Sequence, residues 1–223
     1  MIHLKIDIDL NGFIPSSALL LIDNIFWKYP ARFRIAKRRS SKNGDYQWLF
    51  KSQTHEISIN QGLNQYAFLI TLIHEIAHLK VWENYLLKYE GMAALSLRRR
   101  RLKPHGSEWK SEYVALLSPF IKQHVFPKEL EKQLIRHMHR PKAASCTDVA
   151  LTVALRAYNE DSSALLIGDL EEDQLFTTQR GTIFRKGKKL RKRFKCYEQG
   201  TDRVFLFSPI AEVIPVTKTM DTL

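Results

Sequence analysis

The sequence predicts an α+β fold in which a mixed domain of helices and strands is followed by a small all-β domain. Segments that alternate apolar and polar residues come before a long apolar segment with helical spacing. After residues 141–145, which have the composition of a linker, the hydrophobic period changes from about 3.6 to about 2. We therefore expect one domain over residues 1–140 and a second, basic β domain over residues 146–223.

The first domain is predicted to begin with strands and one helix. The helix opens at Pro15 and must end before Pro30, because proline restricts the residue that precedes it. Asn43-Gly44 is a strong hairpin signal, so we expect the strands on either side of it to pair. The predicted strands cover residues 1–10, 32–39, 46–50 and 54–60.

Three further helices are expected in the first domain. Residues 64–89 form a segment that is apolar on almost all sides, which is typical of a buried helix, and Gly91 is expected to end it. The next helix is predicted to start with Ser107 as its N-cap and to be kinked or ended by Pro119. A short helix over residues 127–138 follows.

The second domain is predicted from a series of short segments with strand-like alternation. They are bounded by Gly, Asp, Asn or Pro, which favours a small barrel or sandwich. The first of them could equally be helical. The segments are residues 151–158, 164–167, 174–178, 182–185, 191–197, 203–207 and 213–216.

The charge of the chain indicates its class of partner. It has 35 Lys and Arg against 23 Asp and Glu, a net charge of +12. The basic residues cluster in residues 32–51, in the run Arg98, Arg99, Arg100 and Arg101, and in residues 180–195, where nine stand without an acid. Nucleic acid is the first partner that such clusters indicate, and an anionic membrane is the second.

The cellular compartment of the protein can be predicted from features that the sequence does not have. There is no apolar run of about 18 residues, so no membrane span is expected. The N-terminus has neither the basic start nor the apolar core of a signal peptide, and two cysteines cannot form a disulfide framework. We therefore expect a cytoplasmic protein, with association with the nucleoid if it binds DNA.

A metal-binding motif stands inside the predicted buried helix. His74 and His78 are four residues apart, so they share one helix face and can provide two ligands to a zinc ion. Glu75 is turned away by about 100° and is suited to take a proton from a metal-bound water. Burying three such polar groups costs several kcal/mol unless they are satisfied, and zinc with a water satisfies all three.

A catalytic zinc ion needs a third protein ligand. The positions that hold a glycine and a histidine in metzincins are Val81 and Asn84 here, so that class is excluded. His105 is favoured, because Pro104 and Gly106 place it in a stiff turn just before a helix. Two glutamates on that helix, Glu108 and Glu112, remain alternatives.

With these two motifs, HEIAH on a buried helix and PHGSEW after an insertion, the sequence resembles the SprT-like metalloproteases, the group that includes Spartan. The resemblance covers roughly residues 10–125. It implies a zincin-type α+β domain, zinc bound by His74, His78 and His105, and Glu75 as the catalytic acid/base. It also implies degradation of proteins crosslinked to DNA, that is, a hydrolase of DNA–protein crosslink repair.

The sequence departs from many relatives in lacking a four-cysteine zinc ribbon after the protease domain. Only Cys146 and Cys196 occur there, so we expect a metal-free β domain in place of the ribbon. We expect a turn at Gly187, flanked by a strand with one cationic face. The DNA contacts expected from the basic clusters are Arg98, Arg99, Arg100 and Arg101 in the first domain and Lys188, Lys189, Arg191 and Arg193 in the second.

The sequence thus predicts a zinc metallopeptidase that cleaves proteins bound or crosslinked to DNA by Glu75-assisted attack of a metal-bound water. Its expected partners are single-stranded or junction DNA and the proteins on it, with no membrane. One competing hypothesis is a DNA-binding protein with a structural zinc ion and no peptidase activity. Another is a metallohydrolase that acts on small molecules or nucleic acid.

Overall fold

The computed structural model describes residues 9–39, 42–89, 103–142, 148–159, 164–178, 180–201 and 203–216. Helices and strands are mixed in the first part of the chain, and the C-terminal part is all-β apart from a short 3₁₀ turn, so the α+β prediction is confirmed at this level. The strand predicted over residues 1–10 lies almost wholly outside the described residues.

The chain forms two compact units, residues 1–159 and residues 160–223. This division falls later than the predicted linker at 141–145. The difference arises at residues 151–158, for which the sequence predicts a strand or, equally, a helix. The structure has a helix there, Val149–Arg156, whose Leu151 and Leu155 lie four residues apart and are buried in the core of the first unit.

The first unit contains a sheet of three strands, β1 (Arg32–Ala36), β2 (Gly44–Leu49) and β3 (Thr54–Asn60). Their order is β1-β3-β2, with β1 parallel and β2 antiparallel to β3. The predicted hairpin between β1 and β2 is therefore wrong. The most buried strand, β3, takes the central position, and the Asn60 side chain at its end donates to the carbonyls of Arg39 and Lys42 in the connection.

Five α-helices occur in the described residues, all of them in the first unit. Asn64 caps α2, because its side-chain oxygen accepts a hydrogen bond from the Ala67 N–H at 2.9 Å. The expected stop of this helix at Gly91 lies outside the described residues. The helices are α1 (Leu19–Lys28), α2 (Gln65–Lys88), α3 (Ser107–Lys122), α4 (Lys128–His139) and α5 (Val149–Arg156).

Helix α3 differs from its prediction at both ends. Its N-cap is Gly106 and not Ser107, whose hydroxyl donates to the Glu108 carboxylate instead of accepting from the main chain. Pro119 lies inside the last turn and does not end the helix, which continues to Lys122.

The second unit is a six-stranded sheet with the order β4-β9-β5-β6-β7-β8, in which all neighbours are antiparallel. Its core consists mainly of Phe176, Phe184, Phe194 and Val213. The period-2 pattern of the sequence is thereby confirmed. The strands are β4 (Leu165–Leu166), β5 (Leu175–Thr177), β6 (Ile183–Lys189), β7 (Phe194–Glu198), β8 (Val204–Phe207) and β9 (Glu212–Pro215).

The turn expected at Gly187 is wrong, because Gly187 lies within β6. The pairing of β6 with β7 shifts register between Lys186 and Lys189, which is a β-bulge. A Cβ on Gly187 would stand 2.6 Å from the Lys195 carbonyl oxygen, so the glycine permits a close approach of two main chains. The connection between the strands covers residues 190–193 instead, and β7 is shorter than predicted.

None of the helices in the described parts of the chain is long and apolar enough to cross a membrane.

Candidate metal centre

Three histidine side chains converge between α2 and the start of α3. His74 and His78 project from the same face of α2, and His105 comes from the turn that precedes α3. The Nε2 atom of His105 lies 3.0 Å from each of the other two Nε2 atoms, which are 3.3 Å apart. Among the described residues, these three form the one group of His, Cys, Asp and Glu whose ligand atoms are close enough for a metal ion.

The triangle of nitrogens has the size that zinc requires. Ligand nitrogens at about 2.0–2.1 Å from a tetrahedral zinc ion are separated by about 3.3 Å. The observed separations of 3.0 to 3.3 Å are close to that value. Three protein nitrogens leave the fourth corner of the tetrahedron for another ligand, which is the pattern of catalytic sites.

Hydrogen bonding alone does not account for this arrangement. A neutral imidazole Nε2 carries either a hydrogen or a lone pair, so three mutually adjacent Nε2 atoms can form at most two hydrogen bonds. A single cation can accept lone pairs from all three. The donor set of this chain therefore fits a zinc ion.

Burial keeps these imidazoles in the neutral form that binds metal. Together with the neighbouring imidazoles of His78 and His105, it lowers the pKa of His74 to about 3. The pKa of His78 falls to about 4, again mainly through burial. Burial also lowers the pKa of His105.

Trp109 of α3 packs against all three histidines. Its ring centroid is 4.6 Å from that of His74, 5.6 Å from His78 and 4.7 Å from His105. Its indole N–H donates to the main-chain carbonyl of His74 at 3.3 Å, and Tyr113 stacks on its other side at 5.0 Å. One aromatic ring thus contacts all three imidazoles.

The turn that carries His105 has an unusual main chain. The left-handed conformation belongs to His105 itself, with φ of 59°, whereas Gly106 has an ordinary φ of −68°. A side chain in this region is uncommon and costs about 1–3 kcal/mol, which the surrounding contacts must offset. An unusual turn before α3 was expected from Gly106, and the structure puts the left-handed residue at His105 instead.

Glu75 is buried beside the histidines and against strand β2. The main chain at Gly44 lies close to it, because a Cβ there would stand 2.6 Å from a carboxylate oxygen of Glu75. Burial and the charge of Asp45 raise the pKa of Glu75 to about 8, against the opposing charges of Lys42 and Arg39. A cation on the histidines would lower this pKa, because it stabilises the ionised form.

The two alternative glutamates lie outside the three-histidine group. Glu112 forms an ion pair with Lys80 and accepts a hydrogen bond from the Asn84 side chain at 2.9 Å. Glu108 is exposed, and its pKa is lowered by hydrogen bonds from its own main-chain N–H and from Ser107. The structure therefore brings together His105, and neither glutamate, with the HExxH pair.

The residues predicted to contact DNA divide into two sets. Arg98, Arg99, Arg100 and Arg101 lie outside the described residues, as does Cys146. In the second unit, the expected contacts are all exposed at the junction of β6 and β7. They are Lys188, Lys189, Arg191 and Arg193. Cys196, the other cysteine of this region, is buried as a free thiol.

Sequence reasoning missed a partly buried network next to the three histidines. Glu83 accepts from His55 Nε2–H at 2.8 Å, so the lone pair on His55 Nδ1 accepts from the Tyr46 hydroxyl at 3.0 Å. The ring of Tyr46 is parallel to that of His78, with centroids 6.3 Å apart. The sequence does place Tyr46 and His55 on neighbouring predicted strands, by their alternation of apolar and polar residues. Glu83 comes from α2, however, and only the tertiary structure brings its carboxylate to His55.

Comparison with known proteins identifies a relative of this chain. Protein SprT of Enterobacter sp. (strain 638) is 32% identical to it over 130 residues. The match covers 56% of this chain and 66% of that relative, slightly less than two thirds of its length. No family model and no solved structure matches the chain. The relative supports a SprT-like family assignment, so the resemblance drawn from the two motifs is confirmed.

Proposed function

We propose, on the premise of a SprT-like family assignment, that the chain is a zinc-dependent metallopeptidase that cleaves proteins bound or crosslinked to DNA. The observation that carries the proposal is the triangle of Nε2 atoms from His74, His78 and His105, with sides of 3.0 to 3.3 Å. The distances between the three nitrogens suit a zinc ion. Three protein ligands, with a fourth position left open, favour a catalytic ion over a structural one. We assign the first unit to a zincin-type protease domain on the same grounds.

Each residue of the site has a separate task in this reaction. Zinc held by the three histidines supplies a Lewis acid that polarises the scissile carbonyl and lowers the pKa of water to about 7. Glu75 accepts a proton from the attacking water and delivers it to the leaving amine. Trp109 packs against the three imidazoles and keeps them in position. The main chain at Gly44, which has no side chain, leaves room for the Glu75 carboxylate.

Two features support DNA as the platform for the substrate. The chain has a net charge of +12, and the β6–β7 junction exposes consecutive cations. Such a surface binds phosphates with little dependence on base sequence. A protein substrate held on the same DNA would then be presented to the site at high effective concentration.

Metal analysis tests the ligand assignment. We expect one zinc ion per chain in the parent protein and its loss in His74→Ala, His78→Ala and His105→Ala. Glu112→Gln is the matched control, because this carboxylate lies nearby but is paired with Lys80. Full zinc occupancy in His105→Ala would contradict the third ligand.

A protease assay tests the catalytic role and separates the enzyme from a DNA-binding protein with a structural zinc ion. Glu75→Gln should retain zinc and fold but lose hydrolysis by about 10²–10⁴-fold, because an amide cannot accept the proton of the attacking water. The substrate is a protein crosslinked to single-stranded DNA, with the free protein as the second arm. Activity in Glu75→Gln within a few-fold of the parent would show that Glu75 is not the base.

A further inference from the structure

An open groove of about 530 Å³ runs between the start of α3 and the end of α4, apart from the three histidines. Because α3 and α4 are joined by a short connection, the first turns of α3 lie beside the last turn of α4. Lys110 and Val114 line the groove on the α3 side, and Met138 lines it at the end of α4. Arg140, Pro141 and Lys142 continue the lining beyond the helix.

The groove combines cations with an apolar floor. Lys142 is paired with Asp148 at 3.4 Å. Lys110 and Arg140 form no ion pair with any residue that the structure describes, and both are exposed. Val114, Met138 and Pro141 line the same groove and are only partly exposed or buried. Two unpaired positive charges in one groove suit a ligand with repeated negative charges, which describes a nucleic-acid strand better than a small inorganic anion.

The groove is coupled to the metal centre through α3. Lys110 directly follows Trp109, the residue that packs on all three metal-binding histidines. Beneath the groove, Tyr113 joins Trp109 to α4, because its ring stacks on Trp109 and contacts His137 edge-on at 5.9 Å. One wall of the groove is thus formed by the helix whose Trp109 packs on the three histidines.

We propose that this groove binds the phosphate backbone of a DNA strand, with Lys110 and Arg140 each contacting a phosphate. The choice of DNA as the ligand rests on the proposed function. That the groove binds anions rests only on its own residues and their charges. The site belongs to the first unit and is separate from the β6–β7 cations. It would hold the DNA on which a protein substrate is carried on the same unit as the three histidines.

Fluorescence anisotropy across a salt series tests the groove. The test variant is the full chain with Lys110→Gln and Arg140→Gln, and the matched control carries Lys122→Gln and Lys132→Gln. The control removes the same charge from exposed residues of α3 and α4 that do not line the groove. All chains also carry Glu75→Gln so that nothing is cleaved, and thermal melting checks that each variant is folded.

We expect the groove variant to bind labelled DNA more weakly and with a flatter log–log salt dependence. Each phosphate that the protein no longer neutralises lowers the slope by about 0.7 on a single strand and about 0.9 on a duplex, so the two changes together lower it by about 1.4 or 1.8. The two DNA forms distinguish which kind of strand the groove takes. The control should keep the parental slope on both.

Two results would overturn the proposal. One is a parental slope in the groove variant on both DNA forms, and the other is an equal decrease in the control, which would show a general effect of net charge. Neither result depends on zinc or on hydrolysis. A chain without peptidase activity can therefore still support the groove, and an active peptidase can still lack it.

Discussion

Gly44 brings the main chain of β2 against the helix that carries Glu75. A Cβ at this position would meet a carboxylate oxygen of Glu75 at 2.6 Å, the methyl group of Thr71 at 2.7 Å and the Glu75 Cγ at 2.9 Å. These separations are shorter than real Cβ atoms adopt, so any side chain at position 44 must displace Glu75 or Thr71. The absence of a side chain at Gly44 therefore helps to set the position of the proposed base.

We expect Gly44→Ala to lower peptidase activity without loss of zinc, because it moves Glu75 and leaves the histidines untouched. A displacement of about 1 Å can cost up to about 10²-fold in rate. Adding Thr71→Ser should restore part of the activity, since serine lacks the clashing methyl group but keeps the hydroxyl that donates to the Ala67 carbonyl at 2.7 Å. Parental activity in Gly44→Ala, with parental zinc content, would contradict this role for the glycine.

The titration of the buried histidines predicts how the metal-free protein responds to acid. The folded pKa values of His74 and His78, about 3 and about 4, lie below the ordinary value of 6.5. Between these values the unfolded chain binds protons that the folded chain does not. Stability that is present above pH 6.5 is therefore lost as the pH falls toward the folded pKa values.

We expect the metal-free chain to lose about 1.5 kcal/mol per histidine between pH 6.5 and pH 5. Glu75 opposes this trend, because its pKa is raised to about 8 and its contribution to stability is largest in acid and lost as the pH rises through that value. The measurement is therefore a urea titration of the metal-free Glu75→Gln chain at several pH values. A free energy of unfolding that stays constant across this interval would show that the histidines are not buried as the structure has them.

At the scale of the secondary-structure elements, the β6–β7 hairpin packs into the core of the second unit at one end and exposes a charged turn at the other. Phe184 and Phe194 face the interior of the second unit, and Lys186 beside them is also buried, with its ammonium group donating to the Leu170 carbonyl. Beyond the bulge at Gly187 the strands no longer cover a core. The side chains of residues 188–193 are consequently all exposed, and all but Leu190 are cationic.

Changing Lys188, Lys189, Arg191 and Arg193 together to Gln should weaken DNA binding and lower its salt slope by about 0.7–0.9 for each phosphate that is no longer neutralised. The matched control changes four exposed cations of α3 and α4, namely Lys122, Lys128, Lys132 and Arg136. Affinity is read by fluorescence anisotropy on single-stranded and duplex DNA. An unchanged slope in the hairpin variant would leave DNA binding to the first unit.

At the scale of the whole molecule, the candidate site belongs to one unit. The first unit has its own core, in which Trp109 and Tyr113 are buried together with the apolar residues of α2. All three histidines, Glu75 and Gly44 lie within residues 1–159. The second unit has a separate core and contributes none of the residues of the three-histidine group.

A chain that ends at residue 159 should therefore keep one zinc ion and its helical circular dichroism. We expect cleavage of a free protein to persist in this shorter chain, while its DNA affinity falls by the contribution of the β6–β7 hairpin. The same truncation with His105→Ala is the control and should lack zinc. A shorter chain that folds, by circular dichroism, but binds no zinc would show that the site needs the second unit.

The amino-acid sequence by itself determined most of the elements and the kinds of residue that form the candidate site. Local patterns suffice for both: four-residue spacing puts His74 and His78 on one helix face, and alternation marks the strands of the second unit. The motif pair was also enough to indicate the family, which the relative supports.

Only the tertiary structure decided what depends on residues far apart in the chain. It placed β3 between β1 and β2, where a local turn signal at Asn43-Gly44 had favoured a hairpin, because β3 pairs along both of its edges, with β1 in parallel and with β2 antiparallel. It made residues 149–156 a helix, since Leu151 and Leu155 share a face against the core of the first unit. It also selected His105 over two glutamates, because the turn before α3 points that imidazole at the other two.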